Sequence, residues 1–325
     1  MAVKMIFIGG TGRCGTSILK EALALHPQAA SLPFEYRFII GPDGILDFYA
    51  HSRACWTPSI CDKRLKRLSR FLRRLAYEPM PHRLAGNLIK WVDPQRRWFS
   101  PRQHHGWDLS QWLPNYERHI EKLLSNLVDF SFQGYWPASD SYQVRPELWH
   151  CYKDCWELAR ILGGFIESVI GDLLKETGKQ FFVEDNTWNV FLARELVDLL
   201  PHARIVHIFR DPRDVVASFT RQDWGPHNPA DAARWYADMM DHWLAVRREL
   251  AAHCYREVSL ERLVDRPAEV LHELCAFAEV AYDPAMLEID LSHAHTGRWQ
   301  RDFSAEEQQA VCSIVGKWLE VLGYA

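Results

Sequence analysis

The sequence predicts an α/β fold in which helices flank a central parallel sheet and a large helical insertion interrupts the chain. Two short apolar runs, KMIFI at 4–8 and RIVHIF at 204–209, are each followed by a turn and then by apolar residues at helical spacing. Short apolar strands that alternate with helices are typical of a parallel sheet covered on both faces. Further strands are predicted at 180–184 and 254–258, and helices at 16–25, 188–200, 230–250, 267–278, 304–322 and from Pro212 onward.

The segment between the first strand unit and residue 180 is rich in Arg, Trp and Pro, and its pattern is mostly helical. No repeat or low-complexity linker separates it from the rest of the chain. The sequence therefore predicts one domain over 1–325. Its sheet core lies at about 1–40 and 180–320, and its helical insertion at about 41–179.

Composition excludes several classes of protein. The 325 residues include 38 Lys+Arg against 42 Asp+Glu, a formal net charge of −4, which argues against a nucleic-acid binder. With 48% hydrophobic residues the chain can bury a full core, and no apolar run approaches the roughly 18 residues of a membrane span. The eight scattered Cys predict free thiols, and a cytoplasmic location is expected.

The first candidate site is a glycine-rich loop between the first strand and the first helix. Its spacing, G-x-x-x-x-G, is that of a phosphate-binding loop, but Thr16 stands where nucleoside-triphosphatases have lysine. Such a loop directs backbone N–H groups at an anion, and the helix dipole adds to the attraction. Arg13 is the one cation in the loop, and the hydroxyls of Thr16 and Ser17 add donors. An ordinary glycine turn before a helix is the alternative.

The second candidate site is the strand 204–209 with the helix that follows it. Arg210 stands at the carboxyl end of the strand, where open α/β sheets bind ligands, and Ser218 follows two helical turns later. A guanidinium and a hydroxyl together can bind a phosphate monoester. Alternatively, Arg210 forms an ion pair with Asp211 or Asp214 at the start of the helix, and Ser218 is solvated.

Together the two motifs resemble the sulfotransferase family, which uses 3′-phosphoadenosine 5′-phosphosulfate (PAPS) as sulfuryl donor and releases adenosine 3′,5′-bisphosphate (PAP). The family's [PG]-[RK]-x-G-T-[TS] loop is matched by residues 12–17 and its R-[DN]-P-[RK]-D-x-x-x-S motif by residues 210–218. The resemblance implies the P-loop-like sulfotransferase fold and transfer to an acceptor hydroxyl or amine without a metal. It also implies a set of nucleotide-binding residues: Gly12, Arg13, Cys14, Gly15, Thr16, Ser17, Arg210, Ser218 and, in a late Gly-Arg loop, Arg298.

The resemblance also suggests catalytic residues. Arg13 would neutralise charge on the bridging oxygen, and Glu35 would act as general base, because Glu35-Tyr36-Arg37 is similar to the E-x-R of tyrosylprotein sulfotransferases, displaced by about one residue. The alternative is that Glu35 forms a structural ion pair with Arg37 or another arginine. Asp185 and Glu184, which end the strand at 180–184, are the other candidate bases. Asn186 and Trp188 are candidates for lining the acceptor pocket.

The acceptor is expected to be a small molecule, lipid or glycan. Residues 51–105 carry 13 Lys/Arg against three acidic residues, which favours an anionic acceptor. Within this block, KRLKRLSRFLRR at 63–74 predicts a helix packed by its leucines, or one that lies on a membrane or polyanion. Exposed Trp91, Trp98, Trp107 and Trp112 would stack on sugars or aromatic rings, although such residues are more often core.

Three other interpretations remain open from the sequence alone. A phosphate-loop kinase would use the acidic residues at 184–185 for its metal, and a nucleotide-binding protein without catalysis would lack a working base. A zinc site at His150, Cys151 and Cys155, or at His293 and His295, is disfavoured because the spacing matches no common structural zinc site. The oligomeric state is not predicted.

Overall fold

The computed structural model describes residues 3–35, 37–93, 108–137, 145–292, 294 and 296–325. The chain divides into two compact units, Met1–Glu35 with Gly178–Ala325, and Tyr36–Thr177. Trp98, Trp107, His293 and His295 lie outside the described residues.

In chain order, the helices are α1 (Thr16–Ala24), α2 (Arg37–Ile40), α3 (Ile45–Ala54), α4 (Pro58–Ala76), α5 (Met80–Val92), α6 (Leu109–Trp112), α7 (Tyr116–Leu127), α8 (Cys155–Thr177), α9 (Ala193–Leu199), α10 (Pro212–Phe219), α11 (Pro229–Glu249), α12 (Leu260–Asp265), α13 (Pro267–Phe277), α14 (Trp299–Asp302) and α15 (Ala305–Leu322). Two 3-10 turns are Thr187–Val190 and Pro284–Glu288.

The strands are β1 (Lys4–Gly9), β2 (Ala29–Ala30), β3 (Phe130–Gln133), β4 (Glu147–His150), β5 (Phe181–Glu184), β6 (Arg204–Phe209) and β7 (Tyr255–Ser259). The first unit is built on a parallel sheet of order β2-β5-β1-β6-β7. Its central strands β1 and β5 are almost wholly buried, as strands covered on both faces must be. The predicted α/β fold with a central parallel sheet is confirmed.

Helix starts in the first unit follow from residues that suit a first turn. Prolines stand at the first position of α10, α11 and α13, where the missing N–H leaves no hydrogen bond unmade. Ser304 and Glu307 form a capping box at α15, each satisfying the other's backbone N–H. These signals explain why the predicted bounds of those helices lie within one or two residues of the observed ones.

The predicted helix over 188–200 was wrong in its first part. Asn186 accepts a hydrogen bond from the Trp188 N–H through its side chain, and this cap begins a 3-10 turn that ends before α9. Both pieces bury apolar side chains, the turn against β1 and β6 and α9 against α11, so periodicity alone did not reveal the break.

The second unit, Tyr36–Thr177, is mostly helical, as the pattern predicts, and also contains an antiparallel hairpin of β3 and β4 that the sequence analysis missed. In α4 the leucines at 65, 68, 72 and 75 are fully buried, which confirms the prediction that this helix packs by its leucines. None of the helices in the described chain has the length and apolarity required to cross a membrane.

Candidate active site

Three strands of the parallel sheet direct their carboxyl ends to one edge, and the predicted site residues follow those ends. Gly10 follows β1, Asp185 follows β5 and Arg210 follows β6. β1 lies between the other two, with Phe7 paired to Glu184 and Gly9 to His207. The fold therefore brings both candidate phosphate sites and the candidate bases to the same edge.

The phosphate loop is held in a conformation that favours glycine. Gly12, Arg13 and Gly15 have positive φ values of 88°, 57° and 103°. A Cβ on Gly10 would lie 2.5 Å from the Ile208 carbonyl oxygen and 2.4 Å from Cys14 Sγ, so only glycine fits there. The loop thus passes directly over β6 and turns its backbone toward the start of α1.

The start of α1 is suited to an anion. Gly15 is the N-cap and provides no side-chain cap, and the first turn contains no acidic residue. The first N–H groups of a helix have no partner within the helix, and the dipole is positive at this end. Thr16 and Ser17 are the first two residues of α1, so their backbone N–H groups belong to this first turn. Thr16 is buried and Ser17 is exposed.

Cys14 makes a different contribution from its neighbours in the loop. Its side chain is fully buried against Gly10, and burial raises the pKa of its thiol. The thiol of Cys14 therefore fills space beneath the loop and does not face the cleft.

Arg210 is buried at the carboxyl end of β6 and is held from two sides. Its Nη1 lies 3.4 Å from the Arg13 carbonyl oxygen, and its Nη2 lies 3.3 Å from Asp214 Oδ2. The ion pair with Asp214 that the sequence left as an alternative is therefore present. It fixes the guanidinium on the loop and leaves it beside the cleft.

The two motifs meet directly. Arg13 Nε donates a hydrogen bond to Ser218 Oγ at 3.0 Å, joining the first loop to α10. A cleft of about 250 Å³ adjoins this contact. It is lined by residues of both motifs and by three apolar side chains: Arg13, Gly15, Thr16, Ser17, Arg210, Ile18, Leu260 and Ala294.

Asp214 also fastens the late Gly-Arg loop, a role that the sequence analysis did not assign. Its fully buried carboxylate accepts the N–H of Gly297 at 2.8 Å and that of Trp299 at 3.0 Å. The Arg213 guanidinium lies 4.4 Å from the centre of the Trp299 ring. The i, i+4 spacing of Arg210 and Asp214 was the available signal, but it did not indicate the backbone partners.

The Arg298 side chain pairs with the carboxylate of Asp302, four residues later in the chain. Its Nε donates to Asp302 Oδ2 at 2.8 Å, and Asp302 also pairs with Arg221. The guanidinium would have to leave Asp302 to bind a phosphate.

The three candidate bases have different surroundings. Glu184 is buried and accepts a hydrogen bond from Asn189, which also donates to the Ile8 carbonyl at 2.8 Å. Asp185 is buried and its Oδ1 lies 2.9 Å from Lys20 Nζ, in an ion pair that the sequence analysis missed although Lys20 follows Thr16 by one turn of α1.

Glu35 is half-buried, and Asn186 Nδ2 lies 3.5 Å from its Oε2. Asn186 therefore contacts Glu35 with one side-chain atom while the other caps the turn at Trp188. Of the three candidates, Glu35 is the one whose carboxylate is partly exposed to solvent.

Aromatic side chains stand beside the loop at Gly12. A Cβ at Gly12 would lie 3.6 Å from the Phe219 ring and 3.8 Å from the Trp224 ring. Phe219, Trp224 and Trp235 contact one another edge to face or tilted, and Trp224 remains well exposed, as does Trp188. The sequence points to Trp188 but not to Trp224, because no spacing links Trp224 to the loop.

The chain matches the model of the sulfotransferase family over residues 5–284. It belongs to that family. Sulfotransferases of this family take the sulfuryl group from PAPS, so the kinase and non-catalytic interpretations give way to a PAPS-dependent sulfotransferase. No curated protein matches the sequence.

Several solved structures resemble this sulfotransferase at low identity. The sulfotransferase domain of the curacin biosynthetic pathway is 14% identical, with 97% of this chain and 98% of that chain covered and a TM-score of 0.47. A sulfotransferase from Mycobacterium tuberculosis is 12% identical, with coverages of 96% and 77% and a TM-score of 0.45. Retinol dehydratase in complex with androsterone and PAP is 12% identical, with coverages of 98% and 82% and a TM-score of 0.37.

Proposed function

We propose that this sulfotransferase binds the two phosphate-bearing ends of PAPS at the cleft beside Arg13, the start of α1 and Arg210, and transfers the sulfuryl group in line, without a metal. The observation that carries the proposal is that Arg13, Arg210 and the start of α1 line one cleft. The bound nucleotide would supply the sulfuryl group. The chain's own residues would supply the charge and the proton acceptor.

The 5′ end of the nucleotide is assigned to the loop and the start of α1. Backbone N–H groups of residues 12–17, the hydroxyls of Thr16 and Ser17, and the Arg13 guanidinium would meet the negative oxygens there. Positive charge fixed in advance where negative charge develops lowers the barrier to transfer. Arg13 is the charged side chain of this set, so it is the residue assigned to the bridging oxygen.

The 3′-phosphate is assigned to Arg210 and Ser218. Arg210 is already positioned by the Arg13 carbonyl and by Asp214, so little side-chain entropy is lost on binding. Arg298 would complete the phosphate site once it leaves Asp302. The fixed placement of Asp214 beneath both groups supports this assignment.

Glu35 is proposed as the general base that takes the acceptor proton. Glu35 is only half-buried, whereas Glu184 and Asp185 are buried, and the Asn186 amide lies 3.5 Å from its Oε2. Asp185 stays the second candidate, although its ion pair with Lys20 favours a role in holding α1 against β5. The buried Glu184, bonded to Asn189, is the least suited of the three.

The acceptor is proposed to be a small molecule, lipid or glycan that offers a hydroxyl or amine, and an anionic one is favoured. Basic side chains dominate α4, which supports an anionic acceptor. The family model covers parts of both units, which supports one sulfotransferase domain over 1–325 with a helical insertion at about 41–179.

Calorimetric titration in EDTA with PAP, and separately with ATP, tests the nucleotide assignment. Tight binding of PAP and weak binding of ATP is expected, with no gain on adding Mg²⁺. Arg210→Ala should abolish PAP binding, whereas Arg160→Ala, an exchange on α8 in the second unit, should leave it unchanged. If PAP bound equally well to Arg210→Ala, the 3′-phosphate assignment would be wrong.

Turnover measurements with labelled PAPS and a panel of phenol, sugar and lipid acceptors test the base. Glu35→Gln should lower kcat by about 10² to 10⁴ while PAP affinity changes little, since a base acts on the acceptor and not on the nucleotide. Asp185→Asn should lower kcat less. A larger loss of kcat in Asp185→Asn than in Glu35→Gln would mean that Asp185 is the general base.

A further inference from the structure

Helix α5 presents apolar side chains to solvent along one stripe. Met80, Leu84, Leu88 and Trp91 are 57%, 61%, 59% and 80% exposed. At about 100° per residue these four positions fall within an arc of roughly 80°. We call Met80, Leu84, Leu88 and Trp91 the apolar stripe.

The stripe lies on the side of α5 away from its one buried residue. Gly86, the one buried residue of this helix, falls about 160° from the middle of the stripe. Arg83 lies between Gly86 and the edge of the stripe at Met80, and it donates to Asp108 Oδ2 at 2.8 Å. An amphipathic helix normally packs by its apolar face, and the apolar face of α5 is exposed instead.

Helix α4, which precedes α5 by three residues, presents a stripe of positive charge. Lys63, Arg67, Arg70 and Arg74 recur at intervals of four, three and four and are all exposed. The leucines of α4 lie on the opposite face and are buried. Within the described chain these four side chains form no ion pair with a carboxylate, in contrast to Lys66 and Arg73, which pair with Asp62 and Glu121. We call Lys63, Arg67, Arg70 and Arg74 the basic stripe.

The charge of this segment differs from that of the rest of the chain. Residues 58–92 contain nine Lys/Arg against Asp62 and Glu78, although the whole chain carries a net charge of −4. A second copy of the chain docked by the same surface would place two strongly positive segments together, which is repulsive. Charge complementarity therefore selects a negatively charged partner for the exposed apolar stripe.

We propose that the apolar stripe and the basic stripe form a binding surface for an anionic lipid bilayer. Leu, Met and Trp on one face of a helix insert at the boundary of headgroups and acyl chains, while nearby Lys and Arg meet lipid phosphates. The protein lies on the membrane surface and does not span it. Both stripes belong to the unit Tyr36–Thr177, whereas the residues that line the proposed nucleotide cleft belong to the other unit.

Vesicle co-sedimentation of the full chain, without nucleotide or acceptor, tests the proposal. Vesicles of phosphatidylglycerol and phosphatidylcholine in equal parts should bind the protein at least tenfold better than phosphatidylcholine alone, and salt should weaken the binding. Leu84→Ser/Leu88→Ser and, separately, Arg67→Ser/Arg70→Ser/Arg74→Ser should each lower the affinity at least tenfold. Leu287→Ser/Val321→Ser, a matched change of two exposed apolar residues in the other unit, should leave it unchanged.

Circular dichroism and urea unfolding show whether each variant is folded, and wild-type values are expected because the changed side chains are all exposed. The Trp91 environment provides a second readout. Quenching by brominated lipid should be smaller in Trp91→Phe than in the wild type. Equal binding to both vesicle types, or wild-type binding by both stripe variants, would overturn the proposal. So would a dimer in solution that Leu84→Ser/Leu88→Ser dissociates, since the stripe would then join two copies.

Discussion

Arg13 Nε donates a hydrogen bond to Ser218 Oγ at 3.0 Å, and this bond joins two motifs that are about two hundred residues apart in the chain. The same serine is assigned to the 3′-phosphate and the same arginine to the 5′ end of the nucleotide. The hydroxyl can accept from the guanidinium and at the same time donate to a phosphate oxygen. The two ends of the nucleotide site are therefore coupled through one side chain.

Removing the Ser218 hydroxyl should weaken the binding of both phosphate-bearing ends of the nucleotide. Ser218→Ala loses a hydrogen bond to a charged group, worth about 1.5 to 3 kcal/mol, so PAP affinity should fall by roughly tenfold to a hundredfold. Calorimetric titration measures the change. Ser168→Ala on α8, which also loses one hydroxyl bond, should bind PAP like the wild type. An unchanged affinity in Ser218→Ala would separate Ser218 from the phosphate.

Asp214 is expected to fix the late Gly-Arg loop. Asp214→Asn tests this, because the asparagine side chain has the same size as aspartate but only one of its two terminal atoms can accept a hydrogen bond. One of the bonds to the Gly297 and Trp299 N–H groups must be lost, and so must the charge beside Arg210. Stability should fall by about 1 to 3 kcal/mol, and trypsin should cut at Arg298 or Arg301 faster than in the wild type.

Asp302→Asn is the control for this loop, because it removes the charge that pairs with Arg298 and Arg221 and keeps Asp214 intact. The Asp302 side chain is 13% exposed against 1% for Asp214, so the loss of stability should be smaller than in Asp214→Asn. Equal effects in Asp302→Asn and Asp214→Asn would contradict the anchoring role of Asp214.

The sequence predicted the sheet and the phosphate motifs because both are local patterns. β6 was predicted at its observed bounds, since RIVHIF is a compact apolar run between turn residues. The partners of Asp214 and Asp185 could not be predicted in the same way. Gly297 and Lys20 are far from those carboxylates in the sequence and are brought next to them by folding. No spacing pattern in the sequence predicts such contacts. The exposure of α5 is another such case, because its periodicity is that of an ordinary packed helix.

Gly10 is expected to tolerate no side chain. In Gly10→Ala the new methyl would meet the Ile208 carbonyl at 2.5 Å, and backbone cannot move as a flexible side chain does. We expect a loss of stability of about 1 to 3 kcal/mol, or more, and loss of PAP binding, measured by urea unfolding and calorimetry. Cys14→Ala in addition should not restore the fold, because only the sulfur contact is relieved.

Gly164→Ala, in the interior of α8, is the control for Gly10→Ala. A Cβ there meets no atom within 4 Å, so α8 should gain about 0.5 to 1 kcal/mol from the lower backbone entropy of the unfolded chain. A destabilised Gly164→Ala together with a stable Gly10→Ala would contradict the packing of the loop over β6.

A charged network beneath the sheet predicts how stability depends on pH. Glu257 on β7 accepts hydrogen bonds from Trp243 Nε1 at 3.0 Å and Arg247 Nη1 at 2.6 Å, and lies 3.1 Å from His207 Nδ1. Burial by itself would raise the pKa of this carboxyl. The bonds from His207 and Trp243 and the charge of Arg247 outweigh burial and hold the pKa at about 2, below its ordinary 4.5.

Because the pKa of Glu257 is lower in the folded than in the unfolded chain, its contribution to stability is complete above about pH 4.5 and is lost as the pH falls toward 2. Glu257→Gln should therefore lower the free energy of unfolding at pH 7 by on the order of 2 to 3 kcal/mol. The difference from the wild type should narrow steadily between pH 4.5 and pH 2. Urea unfolding across this range measures it, with Glu249→Gln, which removes an exposed partner of Arg194, as the control. A difference that stayed constant down to pH 2 would mean that Glu257 stabilises the fold by shape and packing, without its charge.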